Sequence, residues 1–130
     1  MNPTVAQFIA CINRQDAHGL FQLMTLDHLF ADSQGIEVRG REPMREGWRA
    51  YFAMVPDYHI AVTDHLENGP VVALFGRANG TYAPGGRILS QNRWETPAAW
   101  KAVVRDGLVA EWRVFADNEP VRRLMRTQPA

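Results

Sequence analysis

The hydrophobic pattern of the chain changes from helical to alternating near Asp57, and this change restricts the fold more than any other feature. Beyond Asp57, four segments alternate apolar and polar residues with the period of a β-strand. The dipeptides Asn68-Gly69 and Asp106-Gly107 favour tight hairpins between them. The predicted strands are residues 58–66, 71–82, 88–104 and 108–116. Pro97 interrupts the third strand, where we expect a bulge or an edge position.

The part of the chain before Asp57 has its apolar residues at helical spacing. A helix is predicted over 4–13, with Val5, Phe8 and Ile12 on one face. A second short helix is predicted over 16–24, and a brief extended segment follows at 28–32. A third helix is predicted from Pro43 to the residue before Pro56. Helices followed by a run of antiparallel strands are typical of an α+β fold, and we predict one domain over residues 1–130.

Composition excludes several classes of protein. Fourteen basic and fourteen acidic residues cancel, so no net charge favours nucleic acid or an anionic membrane as a partner. Cys11 is the single cysteine, which excludes an internal disulfide bond and argues against a structural zinc site. The N-terminus lacks the pattern of a signal peptide, and no apolar run reaches the roughly 20 residues of a membrane span. We therefore expect a cytoplasmic protein.

A series of short motifs resembles the nuclear transport factor 2-like superfamily. The motifs are Phe30-Ala31-Asp32 with Gly35, then Gly40, Gly80-Thr81-Tyr82 with Gly86-Arg87, and Asp106-Gly107 followed by Glu111-Trp112 and Asp117. The resemblance covers nearly the whole chain. It implies a cone-shaped α+β barrel, with the N-terminal helices packed in a curved antiparallel sheet around a cavity. The superfamily includes ketosteroid isomerases, limonene epoxide hydrolases, SnoaL-like polyketide cyclases and plain binding modules.

Two of these enzyme classes match the chain only in part. In ketosteroid isomerases the resemblance puts Asp32 at the position of the proton-transferring base. The tyrosine and the aspartic acid that stabilise the enolate fall on Phe8 and Trp100, and one lost donor costs about 10²–10³ in rate. In limonene epoxide hydrolases Asp117 matches one of two required aspartates, whereas the other falls on Asn79, which cannot accept a proton. We expect neither reaction by its usual route.

The SnoaL-like cyclases resemble the chain best over residues 112–117, where the closing Asp117 is implied to act as an acid or base. A cyclisation needs little more than one carboxyl group in an apolar pocket, because the substrate supplies the nucleophilic carbon. The candidate catalytic residues are therefore Asp117 and Asp32, with His28 as a partner. Each has a structural alternative: Asp32 as a turn carboxylate, Asp117 as a helix N-cap and His28 as a packed side chain.

The candidate ligand-binding residues are mostly aromatic and lie on the predicted strands. Trp94 and Trp100 share one strand parity with Asn92, so all three are expected to point into the cavity unless Pro97 shifts the register. Filling of the core is the alternative for each tryptophan. The full set is Trp94, Trp100, Tyr51, Asn92, Trp112 and Tyr82.

These features predict a pocket protein for an apolar small molecule that is cyclic or bears a carbonyl group. One hypothesis is a cofactor-independent isomerase or cyclase that uses a carboxylate as acid and base. The other is a non-catalytic ligand-binding or dimerisation module of the same fold. For both we expect a homodimer through the outer face of the sheet, and neither a metal nor an organic cofactor.

Overall fold

The computed structural model describes residues 1–128, and residues 129 and 130 of the predicted domain lie outside this range. Four helices and six strands alternate unevenly along the chain. In order they are α1 (Pro3–Asn13), α2 (Ala17–Gln22), β1 (Met24–Ala31), β2 (Glu37–Arg39), α3 (Arg41–Met54), β3 (His59–Asn68), β4 (Val71–Thr81), β5 (Arg93–Arg105), β6 (Leu108–Ala116) and α4 (Glu119–Thr127). The predicted α+β class is confirmed.

The six strands form one sheet in the order β2-β1-β6-β5-β4-β3. The four strands β3 to β6 pair antiparallel with their sequence neighbours, as predicted. Asp106 and Gly107 both adopt positive φ, +54° and +75°, which is the geometry of a tight hairpin between β5 and β6. Because β2 and β3 form the two edges, the sheet curves around the helices without closing into a complete barrel.

The first strand is longer than expected and enlarges the sheet beyond the predicted hairpins. It begins at Met24, within the segment predicted as the second helix, so that helix ends at Gln22 instead. It pairs antiparallel with β2, which the sequence pattern did not reveal because β2 has only three residues. It also pairs parallel with β6, with Phe30 opposite Trp112. This parallel pairing joins the start of the chain to its last strand.

The segment between β4 and β5 differs from the prediction of a strand from Ile88. Two short 3₁₀ turns occupy Pro84–Gly86 and Ser90–Asn92, and β5 starts only at Arg93. The register of β4 against β5 continues without a shift through Pro97, so the predicted bulge at this residue is absent. Pairing of β5 with β6 begins at Ala98. Pro97 therefore sits just past the end of that ladder, where a missing N–H is tolerated.

Helices α1 and α3 cover different parts of the inner face of the sheet. Helix α1 contacts β3, β5 and β6, whereas α3 contacts β1 and β2. The end of α3 approaches β4 closely, because a Cβ atom on Gly80 would overlap Val55 Cγ1. Glycine at this position lets the buried Val55 pack against the strand. Because α1 and α3 cover different strands, the space between α3 and the sheet is lined by side chains from several strands.

No helix within residues 1–128 is long and apolar enough to cross a membrane.

Candidate functional site

A cavity of about 320 Å³ lies between α3 and the inner face of the sheet. Helix α3 and five of the six strands contribute to its walls, and connecting segments supply polar groups. The lining residues are Met44, Gly47, Trp48 and Tyr51 from α3, Phe30, Val38, Ala78, Trp94, Val114 and Ala116 from the strands, and Asp32, Ser33, Tyr58 and Asn118 from the connections. A cavity of this size accommodates a small organic molecule.

Aromatic rings dominate the walls of the cavity. The rings of Tyr51 and Tyr58 meet at 89° with their centroids 5.0 Å apart, and Tyr58 lies 6.1 Å from Trp94. The rings of Phe30 and Trp48 meet at 74°, with 6.1 Å between their centroids. Tyr51 and Trp94 are among the ligand-binding residues predicted from the sequence, and the structure brings both of them to this cavity.

Asp32 is the carboxylate among the lining residues of the cavity, and only one of its two carboxyl oxygens accepts hydrogen bonds from the described part of the protein. It follows the last residue of β1, and its Oδ1 accepts hydrogen bonds from the backbone N–H of Gln34 at 2.9 Å and of Ile36 at 3.0 Å. These bonds hold the turn that Gly35 completes with a φ of +83°. Oδ2 makes no hydrogen bond within residues 1–128. The turn therefore fixes the carboxyl group in place and leaves one oxygen available to a ligand.

Two tyrosine hydroxyls of the cavity are donors without an acceptor. Neither Tyr51 nor Tyr58 donates a hydrogen bond to another residue in the described part of the chain, although both line the cavity. Burial raises the pKa of both phenols well above the ordinary value, so both keep their protons at neutral pH. The indole N–H groups of Trp48 and Trp94 also lack an acceptor there. A ligand with a carbonyl oxygen would satisfy such donors.

A hydrogen bond closes the polar side of the cavity. The side-chain amide of Asn118 donates to Ser33 Oγ at 2.6 Å, which links the turn after β1 to the residue that precedes α4. Both residues line the cavity beside Asp32. The contact joins segments 85 residues apart in sequence and keeps the turn with Asp32 attached to the end of β6.

Asp117 lies outside this cavity. The inward residues of β6 and its extension are Trp112, Val114 and Ala116, so alternation turns Asp117 to the outer side, where it is exposed. Its Oδ1 accepts a hydrogen bond from the backbone N–H of Glu119 at 3.0 Å, at the start of α4. The N-cap of α4 is Asn118, so Asp117 is not the N-cap that the sequence left open; it forms a turn one residue earlier that supports the start of the helix.

His28 lies in the core and does not line the cavity. Its side chain is fully buried beside Phe8, with 6.2 Å between the ring centroids. Nδ1 lies 2.7 Å from the carbonyl oxygen of Val109, and because a carbonyl only accepts, Nδ1 carries the proton. Burial lowers the pKa of His28, against the opposing effect of the Val109 hydrogen bond, so the ring is neutral at neutral pH. Its Nε2 has no partner within residues 1–128.

Four other predicted ligand-binding residues are separated from the cavity. Trp100 and Trp112 are 2% and 1% exposed and fill the core, where Trp112 packs against Phe8 at 4.8 Å. Asn92 exchanges two amide hydrogen bonds with Gln128, of 2.9 and 2.7 Å. Tyr82 donates its hydroxyl to the Gln128 carbonyl at 2.9 Å. Gln128, the residue after α4, therefore binds the polar groups of Asn92 and Tyr82, which the sequence analysis assigned to a ligand.

Several residues of the cavity were not predicted as site residues. Trp48 lies three residues before Tyr51, a spacing that places both on one face of a helix and was a usable signal. Phe30 lies two residues before Asp32 on an extended segment, which also places both on one side. Tyr58, Ser33 and Asn118 carried no comparable local signal. Within the described residues, no cluster of three histidine, cysteine, aspartate or glutamate side chains could hold a metal ion.

Comparison with solved structures defines the class of fold. A protein with a ketosteroid isomerase-like fold from Catenulispora acidiphila, in complex with trimethylamine, matches with a TM-score of 0.79 and 18% identity over 93% of this chain and 91% of that chain. A proposed SnoaL-like polyketide cyclase from Jannaschia sp. CCS1 matches with a TM-score of 0.80 and 20% identity, over 97% and 91%. IdmH from Streptomyces antibioticus, a proposed polyketide cyclase, gives 0.75 and 24%, over 95% and 96%.

At these identities the structural likeness establishes the fold alone. The model of the SnoaL-like domain family matches residues 5–116, which is most of the chain. The chain therefore belongs to the SnoaL-like domain family, and the predicted nuclear transport factor 2-like fold is confirmed. A search of curated proteins found no match.

Proposed function

We propose that this protein binds a small carbonyl compound in the cavity and that Asp32 transfers a proton on it, as in an isomerase or a cyclase. The observation that carries the proposal is the position of Asp32, whose free Oδ2 belongs to the one acidic side chain among the lining residues of an aromatic cavity. A carboxylate oxygen within reach of a bound ligand can act on it as a general base.

The proposed reaction needs one proton transfer to begin. Asp32 Oδ2 takes a proton from the carbon next to the carbonyl group, the electron pair of that C–H bond forms a carbon–carbon double bond, and the carbonyl oxygen takes the negative charge. Return of the proton to another carbon completes an isomerisation. Attack of the enolate carbon on a second carbonyl of the same molecule completes a cyclisation. The aromatic cavity favours either outcome by holding the molecule in a reactive conformation.

Tyr51 and Tyr58 are proposed to supply the hydrogen-bond donors that ketosteroid isomerases have at the positions of Phe8 and Trp100. Both phenols keep their protons because burial raises the pKa of each, and neither is bonded to the protein within residues 1–128. A neutral phenol donates to the enolate oxygen without adding charge to the cavity. The donor function is thus proposed to come from α3 and from the segment before β3, in place of α1 and β5.

The comparisons support this proposal at the level of the family. Two of the structural relatives are proposed polyketide cyclases, which favours cyclisation as the reaction type for this chain. A third relative was solved in complex with trimethylamine, which is a reason to test amines as ligands of this protein.

The proposal is tested by proton exchange on 2-tetralone, a small cyclic ketone with acidic C–H groups beside its carbonyl. In D₂O, proton NMR measures how fast the purified protein exchanges these protons above the buffer rate. Asp32→Asn keeps an oxygen for the turn hydrogen bonds but removes the base, so we expect the rate to fall by about 10²–10⁴. Asp117→Asn, the other candidate carboxylate, is expected to retain the wild-type rate.

Two results would contradict this assignment. If Asp117→Asn abolishes exchange and Asp32→Asn does not, the catalytic group lies outside the cavity. If the wild-type protein binds 2-tetralone without accelerating exchange, the protein is a ligand-binding module of the same fold. Thermal melting of both variants checks that each remains folded, since Oδ1 of Asp32 supports a turn.

We also propose that a second copy of the chain covers the outer face of the sheet. Phe75, Ala99 and Phe115 face one another across β4, β5 and β6, and the two phenylalanines are 42% and 56% exposed. An aligned apolar row on a sheet face fits a two-fold symmetric contact. Phe115→Glu is expected to convert a dimer to a monomer in sedimentation velocity. Ile88→Glu, which changes an equally exposed residue in the segment between β4 and β5, is expected to leave the dimer unchanged. A wild-type monomer at micromolar concentration would exclude the contact.

A further inference from the structure

We propose that the ligand of this cavity carries a positive charge, in the form of a protonated or quaternary amine held between the aromatic rings and Asp32. The inference rests on the site proposed above and names the chemical class of its ligand. It follows from three features of the described residues: the charges of the lining, the arrangement of the rings, and the partners of the other cations in the protein.

The lining of the cavity carries a single negative charge that no protein cation balances. Asp32 is its one acidic residue, and no lysine, arginine or histidine is among the lining residues. Twelve ion pairs occur within residues 1–128, and Asp32 takes part in none of them. Two backbone N–H groups bond Oδ1, but Oδ2 has no donor. A cationic ligand would complete this site, whereas an anionic ligand would meet an uncompensated like charge.

The rings of the cavity include two edge-to-face pairs, whose uncovered faces can attract a cation. Tyr51 and Tyr58 stand at 89° to each other, and Phe30 and Trp48 stand at 74°. The faces of such rings are negative and their edges positive. In each edge-to-face pair the edge of one ring lies against one face of the other, so the ring that contributes its edge keeps both negative faces clear of its partner. Trp94 adds a further indole 6.1 Å from Tyr58. A cation of low charge density, such as an alkylammonium group, is attracted to uncovered ring faces, and more strongly when it is desolvated.

Two arginine side chains of the protein lie over an aromatic ring outside the cavity. The guanidinium carbons of Arg41 and Arg45 lie 4.5 and 4.4 Å from the centre of the Phe21 ring, in the contact between α2 and α3. No arginine or lysine in the described part of the chain lies over Phe30, Trp48 or Trp94 in this way. The aromatic faces inside the cavity are therefore without a cation of the protein's own.

A charged ligand is compatible with the proposed proton transfer. The hydroxyls of Tyr51 and Tyr58 lie in the planes of their rings, so they can donate to a carbonyl oxygen while a cation occupies a ring face. During enolate formation the negative charge moves from Asp32 to the ligand oxygen and stays within the cavity. A positive group on the same ligand balances this charge before and after the transfer.

The test compares two molecules of the same shape that differ in charge. Choline carries a quaternary nitrogen where 3,3-dimethylbutan-1-ol carries a carbon. Ligand titration followed by protein NMR shifts measures both dissociation constants for the wild-type protein. We expect choline to bind at least about 10-fold more tightly, the ratio that a desolvated cation–aromatic contact supports. Asp32→Asn is expected to reduce this preference several-fold, and Asp64→Asn, which removes an exposed charge from β3, to leave it unchanged.

The wild-type comparison decides the inference without any variant. Equal binding of the two molecules, tighter binding of the alcohol, or no binding of choline below about 0.1 M would overturn it, since 1 mM already corresponds to weak binding. A preference for choline that Asp64→Asn removes as fully as Asp32→Asn would place the effect at the surface and also overturn it. Proton exchange on the uncharged 2-tetralone does not depend on these outcomes, so failure of the charge inference and failure of the acid–base proposal are distinguishable.

Discussion

The inner side of the sheet has two halves that contain similar aromatic and polar residues. In one half these residues are packed in the core, and in the other they line the cavity. In the filled half, Phe8, Trp100 and Trp112 pack in the buried core, and Nδ1–H of His28 donates a hydrogen bond to the Val109 carbonyl oxygen. In the open half, Trp48 and Trp94 line the cavity together with Asp32, Tyr51 and Tyr58, which have polar atoms free of hydrogen bonds within residues 1–128. The filled half also has an atom that is unpaired in this range, Nε2 of His28, but this residue is fully buried and does not line the cavity. The same strand supplies both halves, because Trp94 and Trp100 lie six residues apart on β5.

The difference teaches that a polar or aromatic residue becomes available to a ligand when no other segment reaches it. Asn92 and Tyr82 face inward as Trp94 does, yet Gln128 pairs with both of them. Helix α1 packs over β5 and β6 and fills its half with Phe8. No comparable side chain of the described residues fills the space beside Trp94. The site is therefore defined by what the rest of the chain leaves uncovered.

Truncating one tryptophan in each half gives the largest expected contrast. Trp112→Ala removes a side chain packed on all sides and is expected to lower the free energy of unfolding by about 3–5 kcal/mol. Trp94→Ala enlarges an existing cavity, where part of the ring already lacks contacts, so its cost is expected to be smaller by about 1 kcal/mol or more. Urea unfolding measures both values, and a larger loss for Trp94→Ala would contradict the division into halves.

The buried His28 gives the filled half a pH dependence. Its pKa is lowered in the folded protein, so below about pH 6.5 the unfolded chain binds a proton that the folded chain does not. The free energy of unfolding is therefore expected to fall as the pH drops from about 6.5 toward the lower folded pKa, by at most about 1.4 kcal/mol per pH unit. Urea unfolding between about pH 5.5 and pH 7.5 measures this slope.

Matched variants assign the slope to this residue. His28→Asn removes the titrating group and keeps an amide to donate to Val109, so it is expected to flatten the dependence while lowering overall stability. His65→Asn, on the exposed part of β3, is expected to keep the wild-type slope. A slope that survives in His28→Asn would show that another group is responsible.

Two tyrosine hydroxyls provide the smallest and most selective contrast. Tyr82→Phe loses a buried hydrogen bond to the Gln128 carbonyl and is expected to cost about 1 kcal/mol of stability with no effect on ligand binding. Tyr51→Phe loses no bond within residues 1–128, so its stability is expected to change by less than about 0.5 kcal/mol. It is expected to weaken 2-tetralone binding. Unfolding should therefore show a loss of stability only for Tyr82→Phe, and titration should show a loss of affinity only for Tyr51→Phe.

The sequence predicted the fold well because the fold depends on local patterns. Alternation over four segments and the Asp106-Gly107 turn defined the hairpins that the structure contains. The same alternation places Asp117 on the outer side of the sheet, with Phe115. Strand alternation therefore excluded Asp117 from the cavity, whereas the family resemblance had suggested it as a catalytic residue. Asp32, Tyr51 and Trp94 were predicted as site residues, and the structure brings them to one cavity.

Trp48 and Phe30 had usable local signals, whereas the positions of other polar groups could not be predicted because they depend on contacts between distant segments. The pairing of Asn92 with Gln128 joins residues 36 positions apart, and the pairing of Asn118 with Ser33 joins residues 85 apart. Neither pair has a spacing that a helix or a hairpin would produce. The parallel pairing of β1 with β6, which places Phe30 beside the inward residues of β6, also depends on the whole topology.

The central claim, that a ligand enters the open half and leaves the filled half undisturbed, is tested by fluorine NMR. The four tryptophans divide evenly, with Trp48 and Trp94 at the cavity and Trp100 and Trp112 in the core. Protein labelled with 5-fluorotryptophan gives one resonance for each, assigned by single substitutions to phenylalanine. Titration with 2-tetralone is expected to shift the resonances of Trp48 and Trp94 and to leave the other two in place. Shifts confined to Trp100 and Trp112 would contradict the account.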